Sequence, residues 1–171
     1  HSPTPLHAND AQPVRIYSLN GDIVDGLKET AGPSAGFYDR FVTVVVDKPA
    51  QIYAGGDIDN LDFLGQNLRQ NDITRIVAGR DIAAVNPLFN PSGMNTLNLA
   101  GPGVIDVEAG RNINLANPYE LSGANPSANF TVSSVAASGI IAVGNAKNPY
   151  LPHAGADIDV LFGVGPGVAN D

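Results

Sequence analysis

The sequence predicts an all-β protein, and within that class a parallel β-helix: a solenoid of stacked coils with inserted loops. A short pattern recurs along the chain, segments of alternating apolar and polar residues flank its copies, and the composition favours strands and tight turns over helices. A single coil of about 20 residues cannot bury its own apolar face. Stacked coils share one continuous core, which explains why a repeat would be retained.

The recurring pattern is Ala-Gly, any residue, Asp or Asn, and then Ile. Its four full copies, separated by 24, 31 and 45 residues, lie at 54–58, 78–82, 109–113 and 154–158. Looser copies lie at 20–23 and 138–141. The unequal spacing predicts that some coils carry inserted loops. The alternative interpretation is that the pattern is ordinary turn chemistry in a β-sandwich, although a sandwich does not need the same turn at each return.

Each position of the pattern has a predicted structural role. The glycine permits a positive φ or a close approach of neighbouring coils. The Asp or Asn hydrogen-bonds backbone at the bend. The isoleucine points inward and stacks on its equivalent in the next coil. The residues predicted to form these stacks are Gly55, Asp57, Ile58, Gly79, Asp81, Ile82, Gly110, Asn112, Ile113, Gly155, Asp157 and Ile158.

Strands are predicted where apolar and polar residues alternate, because that period places one face in the core. The segments with this alternation are 15–19, 41–46, 73–77, 104–108, 113–115 and 158–160. Residues 1–13 read as an irregular, proline-bearing lead-in. Residues 26–40, 86–95 and 117–129 are rich in Gly, Pro, Asn or Ser and are predicted loops, which makes them candidate contact surfaces.

The composition limits the function classes. Charged residues make up only 15% of the chain and the formal net charge is −8, so an acidic surface should repel the phosphates of nucleic acid. The chain has no cysteine, which excludes disulfides and thiolate metal sites. Since no apolar run approaches the roughly 18 residues that a membrane span requires, the chain is not expected to cross a membrane.

No residue is assigned a catalytic, cofactor-binding or metal-binding role. The three histidines are scattered and match no metal-ligand spacing. Asp57, Asp59 and Asp62 resemble an incomplete calcium-binding turn that lacks a tandem copy. A polysaccharide lyase or glycoside hydrolase remains the enzymatic alternative, and hydrolysis would need two carboxylates facing one groove. The predicted Asp column is better explained as bend chemistry, because Asn112 takes the same position.

The repeat also indicates a family. The segments 65–82, 101–115 and 144–158 resemble filamentous haemagglutinin and related two-partner secretion exoproteins of bacteria. The resemblance is greatest to a conserved C-terminal-side region of unassigned function, and it covers roughly residues 40–168. It implies a right-handed β-helix, export through an outer-membrane partner transporter, and an adhesin that is secreted or held at the cell surface. It supplies no catalytic residue, and the N-terminal secretion domain of the family is not visible.

Together these observations predict that residues 1–171 are one β-helix segment of a much larger exoprotein. The segment is expected to act as a rigid stalk and display scaffold rather than as an enzyme. Its expected partner is a glycan or protein on a cell surface. A scaffold that presents a toxin located elsewhere in the parent chain is a further alternative.

Overall fold

The structure is a computed structural model that describes residues 6–25, 43–84, 96–115, 139–145, 148–163 and 165. Within these ranges the chain forms thirteen strands and no helix. The strands are β1 (Val14–Ser18), β2 (Ile23–Val24), β3 (Thr43–Val45), β4 (Ala50–Ala54), β5 (Ile58–Asp59), β6 (Asp62–Gln66), β7 (Ile73–Ala78), β8 (Ile82–Ala83), β9 (Thr96–Ala100), β10 (Val104–Ala109), β11 (Ile113–Asn114), β12 (Gly139–Val143) and β13 (Asp157–Phe162).

The strands belong to three sheets in which every neighbouring pair is parallel. Sheet I runs β1-β4-β7-β10-β13, sheet II runs β2-β5-β8-β11, and sheet III runs β3-β6-β9-β12. Successive strands of the chain lie in sheets I, II and III in turn, so each of four coils contributes one strand to each sheet, and β13 adds a fifth strand to sheet I. The fold is therefore a parallel β-helix, as the repeat predicts. In the described ranges no helix is long and apolar enough to span a membrane.

The core lies inside the coils, and the strands reach it with every second side chain. In β10, Ile105 and Val107 are fully buried, whereas the alternate residues Val104, Asp106 and Glu108 are partly exposed. Val107 pairs with Ile76, and Ile76 pairs with Ile52, so one apolar column passes through three coils of sheet I. Full burial of each such side chain contributes roughly 1.5–3 kcal/mol. Phe63 closes the sheet III side of the same core and is also fully buried.

The predicted isoleucine stack is present in sheet II for three full copies of the pattern. Ile58 pairs with Ile82, and Ile82 pairs with Ile113. The looser copy at 20–23 extends the stack, because Ile23 pairs with Ile58. The placement of Ile158 in this stack is wrong: Ile158 lies in β13 of sheet I and pairs with Ile105.

The fourth copy fails because its strand lies on the wrong side of the pattern. In the first three full copies a sheet I strand precedes Ala-Gly, but in the fourth β13 begins at the Asp of the pattern. The structural successor of Gly110 is instead Gly163, whose N–H donates to the carbonyl of Ala109, just as the N–H of Gly110 donates to Ala78. Gly155 and Asp157 therefore do not continue the glycine and Asp/Asn stacks.

One long connection, between β12 and β13, lies where the chain passes from sheet III to sheet I. Three others lie at the corner between sheets II and III, where they join β2 to β3, β8 to β9 and β11 to β12, while β5 and β6 are joined only by Asn60 and Leu61. The predicted loops 26–40, 86–95 and 117–129 belong to these three connections and lie outside the described residues. Their points of attachment are stacked along the axis because the flanking strands are stacked.

Candidate functional site

The bend between sheets I and II carries a ladder of acidic and amide side chains. The carboxylate of Asp22 accepts the backbone N–H of Asp57 at 2.8 Å, and that of Asp57 accepts the N–H of Asp81 at 2.9 Å. Asp81 in turn accepts the N–H of Asn112 at 3.1 Å. Asp22, Asp57 and Asp81 therefore each link their coil to the next one, whereas the sequence predicts a hydrogen bond to backbone at the same bend.

Two arginines cross this ladder from the variable position of the pattern. The guanidinium of Arg80 lies 2.8 Å from the carboxylate of Asp22 and 2.7 Å from that of Asp57. Arg111, one coil further on, lies 2.6 Å from Asp81 and 3.5 Å from Asp57. Each arginine thus reaches back across two coils. Both guanidinium groups are about half exposed, so solvent weakens their charge attraction. Their hydrogen bonds to the carboxylates therefore contribute more to stability than charge attraction alone.

The ladder has a marked effect on ionisation. Burial disfavours the charged form of Asp57, but the N–H of Asp81 and the guanidinium of Arg80 outweigh it and lower the pKa of Asp57. The hydrogen bond from Asp57 raises the pKa of Arg80. For Asp59 the balance is reversed: burial, followed by repulsion from the neighbouring aspartates, raises its pKa, and the attraction of Arg80 does not offset them. The stabilising contacts of the ladder therefore do not extend to Asp59.

The glycines of the pattern are required by close approach between coils. A Cβ at Gly79 would overlap the carbonyl oxygen of Gly55, and one at Gly110 would overlap the carbonyl oxygen of Gly79. Neither Gly79 nor Gly110 has a positive φ, so packing rather than backbone conformation requires these residues. At Gly155 the nearest atoms to an added Cβ are 3.5 Å away, which is ordinary contact.

The outer face of sheet I carries a second polar cluster. The guanidinium of Arg75 lies 2.8 Å from the carboxylate of Asp106 and also donates to Glu108. Asp106 and Glu108 point outward from one strand, and Arg75 occupies the adjacent strand opposite Asp106. Burial, assisted by Glu108, raises the pKa of Asp106, and Arg75 offsets part of the effect. Arginine and carboxylates therefore gather on one exposed face.

An aromatic pair lies on the same face toward the first coil. The rings of Tyr17 and Tyr53 meet edge to face with centroids 6.4 Å apart. The Tyr17 hydroxyl donates to the side-chain carbonyl of Gln51 at 2.7 Å. Tyr17 is 49% exposed and Tyr53 is 37% exposed, so both rings offer surface to a ligand. The sequence analysis did not identify this face. The outward position of each tyrosine in its alternating strand could have indicated it.

The aspartates considered as a calcium-binding turn are not gathered into a site. Asp62 accepts hydrogen bonds from Thr43 at 2.7 Å and from Thr96 at 2.9 Å on sheet III, whereas Asp57 belongs to the ladder. Among the described residues no group of three or more His, Cys, Asp or Glu side chains is placed to hold a metal ion.

A buried amide that the sequence analysis missed stabilises the bend between sheets III and I. Asn67 is fully buried, donates to the carbonyl oxygen of Pro102 at 2.9 Å, and accepts the hydroxyl of Thr74 at 2.8 Å. Thr74 is itself fully buried. A buried amide with these partners fixes the path of the backbone, since an unsatisfied one would be costly. Its role is structural.

Comparison with known proteins identifies no relative. No family model matches the sequence, no curated protein matches it, and no solved structure matches it.

Proposed function

We propose that this chain is a structural segment of a large secreted bacterial surface exoprotein, in which it acts as a rigid stalk and display scaffold. The observation that supports the proposal is the continuity of the columns. Pairing in sheet I connects five strands in one parallel ladder, and the Asp57–Asp81 link is one of several side-chain contacts between coils. Each coil advances the axis by about 4.8 Å.

Stiffness follows from the kinds of contact that join the coils. Backbone hydrogen bonds connect neighbouring strands in all three sheets, and the apolar columns run parallel to the same axis. The ladder with Arg80 and Arg111 spans up to three coils at one corner. Bending the rod would strain all of these contacts at once, because packed interiors do not deform continuously.

Adhesion is assigned in this proposal to the loops 26–40, 86–95 and 117–129. All three attach at the corner between sheets II and III, so a rigid scaffold holds their ends in a row. The proposed partner is a glycan or protein on a host or neighbouring cell. Location at the bacterial surface and export by an outer-membrane partner transporter belong to the same proposal and derive from the family resemblance.

The test measures binding of the purified chain to cultured cells and to a glycan array. Each loop is replaced in turn by a Gly-Ser linker of equal length, and a variant with Tyr17→Ser and Tyr53→Ser serves as the comparison. Loss of binding on loop replacement, with binding retained in the tyrosine variant, supports display through the loops. Binding that survives all three replacements contradicts it.

A second candidate, a polysaccharide-active enzyme, is favoured by one observation. Arg75, Asp106 and Glu108 gather on the exposed face that also carries Tyr17 and Tyr53. Such a face combines aromatic surface for a sugar ring with two carboxylates, and the pKa of one of them, Asp106, is raised by burial. Release of reducing or unsaturated ends from acidic and neutral polysaccharides, abolished by Asp106→Asn or Glu108→Gln, would establish this function in place of the stalk. Intact polysaccharide after prolonged incubation would exclude it for the substrates tested.

A further inference from the structure

A segment of the lead-in lies against the corner at which the chain passes from sheet III to sheet I. This segment, residues 6–12, is named the clasp. The Lys48 amine, in the turn between β3 and β4, lies 2.5 Å from the Asp10 carboxylate. The Arg69 guanidinium, in the connection between β6 and β7 of the next coil, donates to the carbonyl oxygen of Ala8. The clasp therefore bridges two successive turns that lie outside the strand pairing of the sheets.

The imidazole of His7 lies between two carboxylates. Its Nδ1 is 3.7 Å from Asp10 within the clasp, and its Nε2 is 3.4 Å from Asp47 in the turn between β3 and β4. A neutral imidazole carries a proton on one ring nitrogen only, so the other nitrogen would present a lone pair to a carboxylate. The imidazolium ion presents an N–H group and positive charge on both sides. The geometry therefore favours this contact when His7 is protonated.

The other charged groups at the clasp make the proton of His7 important. Lys48 contacts Asp10, and Arg69 donates to a backbone carbonyl. Among the described residues, His7 is the only cation in ion-pair contact with Asp47. The hydrogen bond from Lys48 lowers the pKa of Asp10, so this carboxylate stays charged in mild acid. Loss of the His7 proton therefore leaves two carboxylates facing an uncharged ring.

We propose that the clasp is pH-sensitive: it is fastened to the corner when His7 is protonated and loosens when His7 is neutral. Because attachment is stronger with the proton bound, it weakens as the pH rises through the range in which imidazoles titrate, around pH 6.5. Loosening uncovers the side chain of Lys48, which is 16% exposed beside the clasp. The device depends on these contacts alone and not on the proposed stalk function.

Hydrogen exchange of backbone amides, measured by NMR on the complete chain at pH 5.5 and pH 7.5, tests the proposal. The reporters are the N–H of Asp10, which donates to the carbonyl of His7 at 2.9 Å, and that of Gln12, which donates to the Asp10 carboxylate at 3.0 Å. After correction for intrinsic exchange, their protection should be about threefold greater at pH 5.5, a size in keeping with exposed ion pairs. The N–H of Gly79, which donates to Ala54 inside the stack, is the reference and should show no such difference.

Three kinds of variant assign the effect. His7→Asn removes the titrating group, and asparagine tolerates the left-handed conformation at this position, where φ is 60°. Its reporters should show the weaker protection at both pH values. Asp47→Asn removes one of the two carboxylates and should reduce the difference between the two pH values. His1→Asn and His153→Asn change the other two histidines of the chain and should keep the wild-type difference.

Salt provides an independent check, because 1 M sodium chloride screens exposed charges and should reduce the difference in protection. Circular dichroism verifies that every variant retains its β structure. Equal protection at the two pH values in the wild type overturns the proposal. So does a difference that persists in His7→Asn, disappears in His153→Asn or is unaffected by salt.

Discussion

The carboxylate of Asp57 accepts the backbone N–H of Asp81 at 2.9 Å and thereby joins the second coil to the third. The contact lies at a bend, where the regular pairing of sheet I has ended and that of sheet II has not begun. Each contact of this type therefore protects a corner that strand pairing alone would leave weaker. The lowered pKa of Asp57 shows that the folded protein favours its charged form.

We expect Asp57→Ala to lower the free energy of unfolding by about 1–3 kcal/mol, because it removes the acceptor for a backbone donor and a partner of Arg80. Asp157→Ala is the matched control, since Asp157 occupies the same position of the repeat but is exposed and outside the ladder. Urea unfolding followed by circular dichroism measures both. Equal losses in the two variants would contradict the assignment of the ladder.

Gly79→Ala should be strongly destabilising, because the added methyl overlaps the carbonyl oxygen of Gly55 and coils cannot separate locally without breaking strand pairing. The expected cost is at least about 1–3 kcal/mol. Gly155→Ala should be neutral or stabilising by a few tenths of a kcal/mol, since an added Cβ there meets only ordinary contacts. Thermal unfolding of both variants checks the difference. A tolerated alanine at Gly79 would mean that the coils are further apart than the structure shows.

Ile82→Ala should cost roughly 2–5 kcal/mol, because Ile82 is almost fully buried between Ile58 and Ile113 and its loss leaves a cavity. Ile158→Ala should cost much less, because Ile158 is 45% exposed. Chemical denaturation at low protein concentration tests this pair. If Ile158→Ala were more destabilising than Ile82→Ala, Ile158 would belong to the core and the register of β13 would be wrong.

Asp59→Asn should raise stability at neutral pH and have little effect in acid. The folded-state pKa of Asp59 is raised by burial and then by neighbouring aspartates. Its ionisation therefore opposes folding, an effect absent below the ordinary Asp pKa of about 3.9 and complete above the folded-state pKa. Unfolding midpoints between pH 3 and pH 8 reveal the window. A stability gain that persists at the acid end would assign the effect to something other than charge.

Much of the fold could be predicted from local patterns. Ile58, Ile82 and Ile113 follow an identical Ala-Gly-x-Asp/Asn motif, and in each case an alternating strand precedes it, so equal local geometry produces equal positions in the coil. The fourth copy has the same letters in a different context. Two prolines, at 149 and 152, precede Ala154, and the alternation follows the motif instead. Whether a strand precedes or follows the motif therefore predicts its position in the coil, whereas the motif alone does not.

The side-chain clusters on the surface were harder to predict from the sequence than the strands. Arg75 contacts Asp106 and Glu108 because two strands 31 residues apart in the chain become neighbours, and the inserted segment hides that register. Asn67 likewise acquires its role from Pro102, a residue of the next coil. Such pairs depend on how many residues each coil contains, which composition and periodicity do not determine.

The short connection between β5 and β6 makes the second coil the natural place for a graft. Asn60, in a left-handed conformation with φ of 60°, and the buried Leu61 complete the turn there, whereas the corresponding connections of three other coils accommodate long additional sequences. A foreign peptide introduced at this corner would be held beside the native insertions at intervals set by the strand spacing of about 4.8 Å. The corner would then hold antigens or enzymes in a defined order and at a defined spacing.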